Sequence, residues 1–281
     1  MSQLAIAGLQ LELNNGDNLE AIEREIASVM ARFPWLKMLV IGELAAFGSG
    51  KGFAEGLPGP AEKYFCELAK KYKVWLIPGS LYEKREGEIF NTTSVINPDG
   101  KVVSRYSKMF PWTPYESGVE AGNKFVVFDV PDVGRLGISI CYDMWFPETT
   151  RTLACMGAEV IIHLTMTNTI DRDAELAIVR ASAVTNQCYV VDVNVAGQIG
   201  NGHSIVAGPG GEVIYQAGAG REIFPLVLDL SAVRTARERG WNGLGQPLKS
   251  FRDSKLTFPP YQDTEAKHRY LDTLGSLKIP E

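Results

Sequence analysis

Gly137-Ile138-Ser139-Ile140-Cys141-Tyr142-Asp143-Met144-Trp145-Phe146-Pro147-Glu148 changes character halfway along. Its opening residues, with Leu136 before them, alternate at the period of a strand, and Leu136, Ile138 and Ile140 share one face. Its last two start a helix: proline suits a first helical turn, and an acid suits the positive end of the helix dipole. Between the two sits Cys141, at a strand-to-helix corner. Such a corner exposes the side chain and aims nearby backbone N–H groups at whatever the sulfur attacks. A cysteine is by default a small buried apolar residue. It becomes a useful nucleophile only beside a base, or beside a charge that lowers its pKa. The question for the rest of the chain is whether it supplies those groups.

Working outward, residues 4–9 read as a buried strand. Ile22, Ile26, Val29 and Met30 then recur at helical spacing. A second strand over 39–41 ends on Gly42-Glu43, and a glycine-rich loop follows over 47–59. Phe65, Leu68, Ala69 and Tyr72 mark a helix over 61–72, and a third strand covers 74–79. The turn Asn97-Pro98-Asp99-Gly100 joins strands over 90–96 and 101–106 into a hairpin. A loop over 107–123 breaks the pattern, and the same order then returns. A hairpin turns at Pro131-Asp132-Val133-Gly134, with helices over 147–156 and 173–186 and strands over 160–164 and 189–193. A third hairpin turns at 208–211, the last strand spans 224–228, and Ser231 can cap a short helix ending near Gly240. Two halves that each mix helix, parallel-type strand and hairpin predict an α/β (α+β) fold. We expect a four-layer αββα sandwich of two mixed sheets with outer helices, as one domain over 1–240. Residues 241–281 carry Trp241, Phe251, Phe258 and Tyr261 among charges. They are expected to dock on this domain or on a partner subunit.

Bulk properties narrow the function. The 281 residues carry 28 basic and 33 acidic side chains, a net charge of -5, with no basic block. That argues against nucleic-acid and anionic-membrane surfaces. Cys66, Cys141, Cys155 and Cys188 are far apart and form no C-x-x-C pair, so neither a disulfide framework nor a metal site is expected. No leader or membrane-length apolar run is read, and a reduced, cytoplasmic protein is the expectation.

Two charged residues stand out by position. Glu43 follows a buried strand, where α/β sheets place functional groups. Lys108 ends the strand before the long loop, and Glu116 follows eight positions later. Each alone has a plain reading as a solvated charge. A histidine-based triad is weakly supported. His163 lies in an apolar run and reads as a core residue, His203 stands near a hairpin strand and His268 in the tail. None has an evident orienting acid.

Glu43, Lys108 and Cys141, each in its flanking sequence, resemble the nitrilase superfamily of carbon–nitrogen hydrolases. The stretch 137–148, continuing into Ala154-Cys155-Met156-Gly157-Ala158-Glu159, carries the longest match. Lys108-Met109-Phe110-Pro111-Trp112-Thr113-Pro114-Tyr115-Glu116 is similar to the corresponding loop of aliphatic amidases and formamidases. The resemblance covers about residues 4–230. It departs at Gly42, where the family usually has proline, and after the lysine, where many relatives outside the amidases carry a small polar residue or histidine. It implies the following roles. Glu43 is the general base. Lys108 lowers the sulfur's pKa and, with the Tyr142 N–H, stabilises an oxyanion. Glu116 orients substrate or lysine. Trp112, Tyr115, Tyr142 and Trp145 contact substrate. No metal or organic cofactor is implied, and a homodimer or larger homo-oligomer is expected. The substrate is expected to be a small neutral aliphatic amide. The arginine that holds a carboxylate in N-carbamoyl amino acid hydrolases is replaced by Met144 and Trp145, and nothing in the sequence places Arg172 or Arg180 in the pocket. Carbamoyl amines, nitriles and a catalytically silent binding role are the alternatives.

Overall fold

The strand Met38–Ile41 is buried along its whole length, and its alternation divides it between two layers. Met38 and Val40 face one core, and Leu39 and Ile41 face another. A strand covered on both faces needs an apolar run rather than an alternating one, which is how this stretch reads. The protein is described by a computed structural model that places residues 2–262 and 270–279, so His268 lies outside the described residues.

Each half of the chain builds one sheet, except that the last strand joins the first sheet. In the first, Gln3–Gln10, Met38–Ile41 and Trp75–Ile77 are parallel neighbours. Glu222–Asp229 pairs antiparallel with Gln3–Gln10, so the last strand returns to the first. Glu88–Ile96 pairs antiparallel with Trp75–Ile77, Ser80–Arg85 and Val102–Ser107. In the second sheet, Gly134–Ile140, Val160–Thr165 and Tyr189–Asn194 are parallel. Val126–Val130 flanks them on one side, and Ile205–Ala207 with Val213–Gln216 on the other.

The two sheets pack face to face. Ile6, Val40 and Ile77 of one meet Ile138, Ile162 and Val191 of the other in a shared core. Outside the first sheet, the helices Leu19–Arg32 and Pro60–Tyr72 bury Ile22, Ile26, Phe65 and Leu68 against Leu39, Ile41 and Leu76. Outside the second, Pro147–Cys155 and Arg172–Asn186 bury Leu153, Val179 and Ala183 against Ile161, Val190 and Ile205. This is the four-layer αββα order that the sequence predicts.

Two local readings need correction. Ser80–Arg85 is a separate strand that the sequence reading missed, because its outer half, Glu83-Lys84-Arg85, is charged like a loop. The Ser231–Arg239 helix is not capped by the Ser231 hydroxyl; Asp229 Oδ1 accepts the Ser231 N–H at 2.9 Å. Part of the C-terminal segment packs on its own chain. The Arg151 guanidinium lies 5.3 Å from the Phe251 ring centre, and the Tyr261 hydroxyl donates to Glu148 Oε1 at 2.5 Å. Among the described residues, no helix is long and apolar enough to cross a membrane.

Candidate active site

Parallel strands deliver Glu43 and Cys141 to one end of the sandwich. The chain leaves Met38–Ile41 through Gly42, and the Glu43 N–H donates to the Thr165 carbonyl at 3.0 Å, across to the second sheet. A Cβ on Gly42 would stand 2.8 Å from that same carbonyl oxygen, so only glycine allows this approach. The second sheet delivers Cys141 directly after Gly134–Ile140. Cys141 adopts a left-handed φ of 48°, a conformation that costs a non-glycine residue about 1–3 kcal/mol. Lys108 arrives from the hairpin of the first sheet. It is tied on both sides of its peptide plane: its N–H donates to Asn91 O, and its carbonyl accepts from Gly122 N–H, each at 2.8 Å.

These residues meet through Lys108. Its Nζ donates to Glu43 Oε1 at 2.9 Å and to Glu116 Oε2 at 2.7 Å. The ammonium is 1% exposed, so both bonds are made out of water. Glu43 Oε1 also accepts from Asn91 Nδ2 at 2.8 Å, and Glu116 Oε2 accepts the Trp112 N–H at 2.6 Å. Glu116 thereby has the contacts that orienting the lysine requires. Cys141 lines the same cavity as the Glu43 carboxylate and the Lys108 ammonium.

Burial dominates the electrostatics. It raises the Glu43 pKa above the ordinary carboxylate value; the Lys108 charge opposes the rise and Glu116 adds to it. Burial opposes the charged form of Lys108 as well, but the sulfur, Glu43 and Glu116 outweigh it and hold the lysine protonated. Cys141 is pushed well above an ordinary thiol, by burial first and Glu43 second, with Lys108 pulling the other way. Lys108 acts on the thiol in the direction the resemblance implies, lowering its pKa, while burial and Glu43 raise it.

Cys141 lines two adjoining cavities. One, of about 240 Å³, is walled by Trp112, Tyr142 and Trp145 and floored by Thr167, Asp171 and Glu175. The other, of about 320 Å³, contains Glu43, Lys108 and Glu116 with Tyr82, Tyr115 and Lys51. The four aromatic residues expected near substrate therefore all line the site. Trp112 stacks on Tyr115 with ring centres 4.3 Å apart. Neither candidate arginine faces the cavities: Arg172 is buried and paired at 3.0 Å with both Glu175 and Asp192, and Arg180 donates to Gly211 O. His163 is buried, bonded to Ser139 Oγ, and held neutral by burial with its pKa lowered to about 3. Among the described residues, no group of three His, Cys, Asp or Glu side chains is placed to hold a metal.

Asn91 and Asp143 were missing from the sequence candidates. Asn91 is fully buried beside Glu43, and Asp143 is fully buried two residues after the nucleophile. The signal for Asn91 was a polar run, Asn91-Thr92-Thr93-Ser94, that leads into the apolar pair Val95-Ile96; all six are buried. For Asp143 it was a lone acid in an apolar turn.

The family described as carbon-nitrogen hydrolase matches residues 3–238. The human protein "Omega-amidase NIT2" is 30% identical over 261 residues, covering 84% of this chain and 92% of the relative. A "Formamidase" of Bacillus cereus strain B4264 is 31% identical over 190 residues, 65% of this chain and 57% of that protein. The crystal structure of Saccharomyces cerevisiae Nit3, a member of branch 10 of the nitrilase superfamily, superposes with a TM-score of 0.77 at 28% identity. It covers 84% of this chain and 94% of Nit3.

Proposed function

The chain belongs to the carbon–nitrogen hydrolase family of the nitrilase superfamily, and from that premise we propose that it is a cysteine amidase releasing ammonia from small aliphatic amides. The observation that carries this reading is the Lys108 ammonium bonded to both Glu43 and Glu116, beside the thiol and at the wall of a cavity.

Glu43 takes the proton from Cys141 Sγ as the sulfur attacks the amide carbonyl carbon. The C=O π electrons move to oxygen. Lys108 and the Tyr142 N–H stabilise that oxyanion, and donors of this kind are worth about 3–4 kcal/mol each. The oxyanion collapses, the C–N bond breaks, and protonated Glu43 gives its proton to the leaving nitrogen. A thioester and ammonia result. Glu43 then takes a proton from water, whose oxygen attacks the thioester carbon. The C–S bond breaks, the acid leaves, and the thiolate regains the proton from Glu43. A raised pKa suits Glu43 to both directions of transfer. Glu116 holds the lysine in place throughout.

The aromatic walls around the smaller cavity favour a short acyl group and exclude water. The relatives named omega-amidase and formamidase support amide chemistry. A second reading, a carbamoylated amine, is favoured by Asp171 in that cavity, an acid that a substrate ammonium would meet. The test is kcat/KM for propionamide against N-carbamoylputrescine and a matched nitrile. Propionamide is expected to lead. A lead of more than about tenfold for either competitor, roughly 1.4 kcal/mol of transition-state preference, would overturn the amide assignment.

A further inference from the structure

Asp143 takes part in none of these proton transfers, yet its buried carboxylate accepts four hydrogen bonds. Oδ2 accepts from the Tyr106 hydroxyl at 2.6 Å and the Ile140 N–H at 2.8 Å. Oδ1 accepts from the Met109 N–H at 3.0 Å and the Phe110 N–H at 2.9 Å. The donors come from two separate stretches. Tyr106, Met109 and Phe110 surround Lys108 in the chain, and Ile140 immediately precedes Cys141. We propose that Asp143 is a positioning residue, one carboxylate that fixes the Lys108 ammonium relative to the Cys141 sulfur.

Both stretches need the support. The left-handed corner at Cys141 persists only where its surroundings over-determine it. Asp143 closes a turn around that corner by bonding back to Ile140. Lys108 stands where its chain leaves the sheet, and the next two N–H groups, of Met109 and Phe110, find their acceptor in Oδ1 of Asp143. An unpaired N–H in such a place is costly. The lysine acts by charge and by hydrogen-bond geometry, both steep in distance. A misplacement of about 1 Å can cost about 100-fold in rate. Both carboxylate oxygens are used as acceptors, and an isosteric amide cannot reproduce that. Its NH2 end would face backbone N–H donors at whichever end it occupied.

The proposal rests on the roles assigned above to Lys108 and Cys141. Its test reads the thiol itself, so it does not depend on the choice of substrate. Asp143→Asn and Tyr106→Phe proteins are compared with wild type in three ways: the pH profile of Cys141 alkylation by iodoacetamide, followed by peptide mass; kcat and KM on an amide that the wild type turns over; and the thermal midpoint. For Asp143→Asn we expect the alkylation profile to move to higher pH, because Lys108 no longer sits at its set distance from the sulfur. We also expect kcat to fall about 100-fold, with KM changed less than about threefold. Tyr106→Phe removes one donor of the four, and we expect a smaller change in the same direction, about tenfold in kcat. A folded Asp143→Asn protein with a lower thermal midpoint but an unmoved alkylation profile and near-normal kcat would show a structural role only, and overturn the proposal. Should Asp143→Asn not fold, Tyr106→Phe decides: a folded variant with profile and kcat unchanged overturns it equally.

Discussion

At the end of Met38–Ile41 the chain turns a carboxylate into the interior; at the end of Gly134–Ile140 it sets a thiol at a cavity wall. The two corners sit on facing sheets and are finished differently. At the first, the left-handed residue is Leu44, one place beyond Glu43, and its N–H is held by Ser80 Oγ at 3.0 Å. Glu43 itself is 2% exposed and bonded to Lys108 and Asn91. At the second, the left-handed residue is the functional one, Cys141, and its side chain stays partly open. The difference follows from what each group must do. A base works best dry and immobile, with a pKa raised toward the operating range. A nucleophile must reach a substrate carbon, so its corner is bent outward. Lys108 links the two sheets' contributions in both space and charge.

Substitutions can separate the corners. Cys141→Ala should abolish turnover, a loss of at least about 10⁴-fold, while the thermal midpoint stays close to wild type, because the thiol makes no packing contact that alanine lacks beyond one atom. Calorimetry alongside an ammonia-release assay checks both halves. Glu43→Gln should cost somewhat less, about 10²–10⁴-fold in kcat, the range for one acid–base group. It should leave Cys141 open to slow alkylation, which peptide mass would show. Lys108→Met differs in kind: it leaves Glu43 and Glu116 buried without their cation. Denaturant unfolding should reveal a stability loss of about 3–5 kcal/mol together with lost turnover.

The pH dependence sharpens the contrast. Glu43 must be unprotonated to act, so kcat/KM should fall as pH drops through its folded pKa. Burial raises that pKa above 4.5, and the acid limb should therefore lie above the ordinary glutamate range. A limb at or below that range in a pH–rate profile would contradict a dry, burial-shifted base. The smallest expected effect concerns assembly. We expect a homodimer or larger assembly under active conditions, and light scattering at micromolar concentration that gives 30.8 kDa would contradict it.

The layers were legible because both sheets are covered on both faces. Runs such as Met38-Leu39-Val40-Ile41 and Val160-Ile161-Ile162 leave little choice but a doubly buried strand. Cys141, Lys108 and Glu43 were legible because each ends or follows such a strand. Other features depend on contacts that one-dimensional spacing does not carry. Asn91 and Asp143 act through partners as far as 48 and 37 residues away. Ser80–Arg85 is an edge strand whose charged outer half hides its pairing with Glu88–Ile96. The pairing of Lys108 with Glu43 was hidden for the same reason, since the sequence shows both charges but not that they are buried together.

The central claim is that substrate carbon becomes bonded to Cys141 while Glu43 manages the protons. Acid-quenched protein, taken from steady-state turnover of a small amide, can be digested and its peptides weighed. We predict that the peptide containing Cys141 gains the mass of the acyl group, and that the gain is absent from Cys141→Ala. Continued turnover with no adduct on Cys141, or an adduct carried by Cys66, Cys155 or Cys188 instead, would contradict the account.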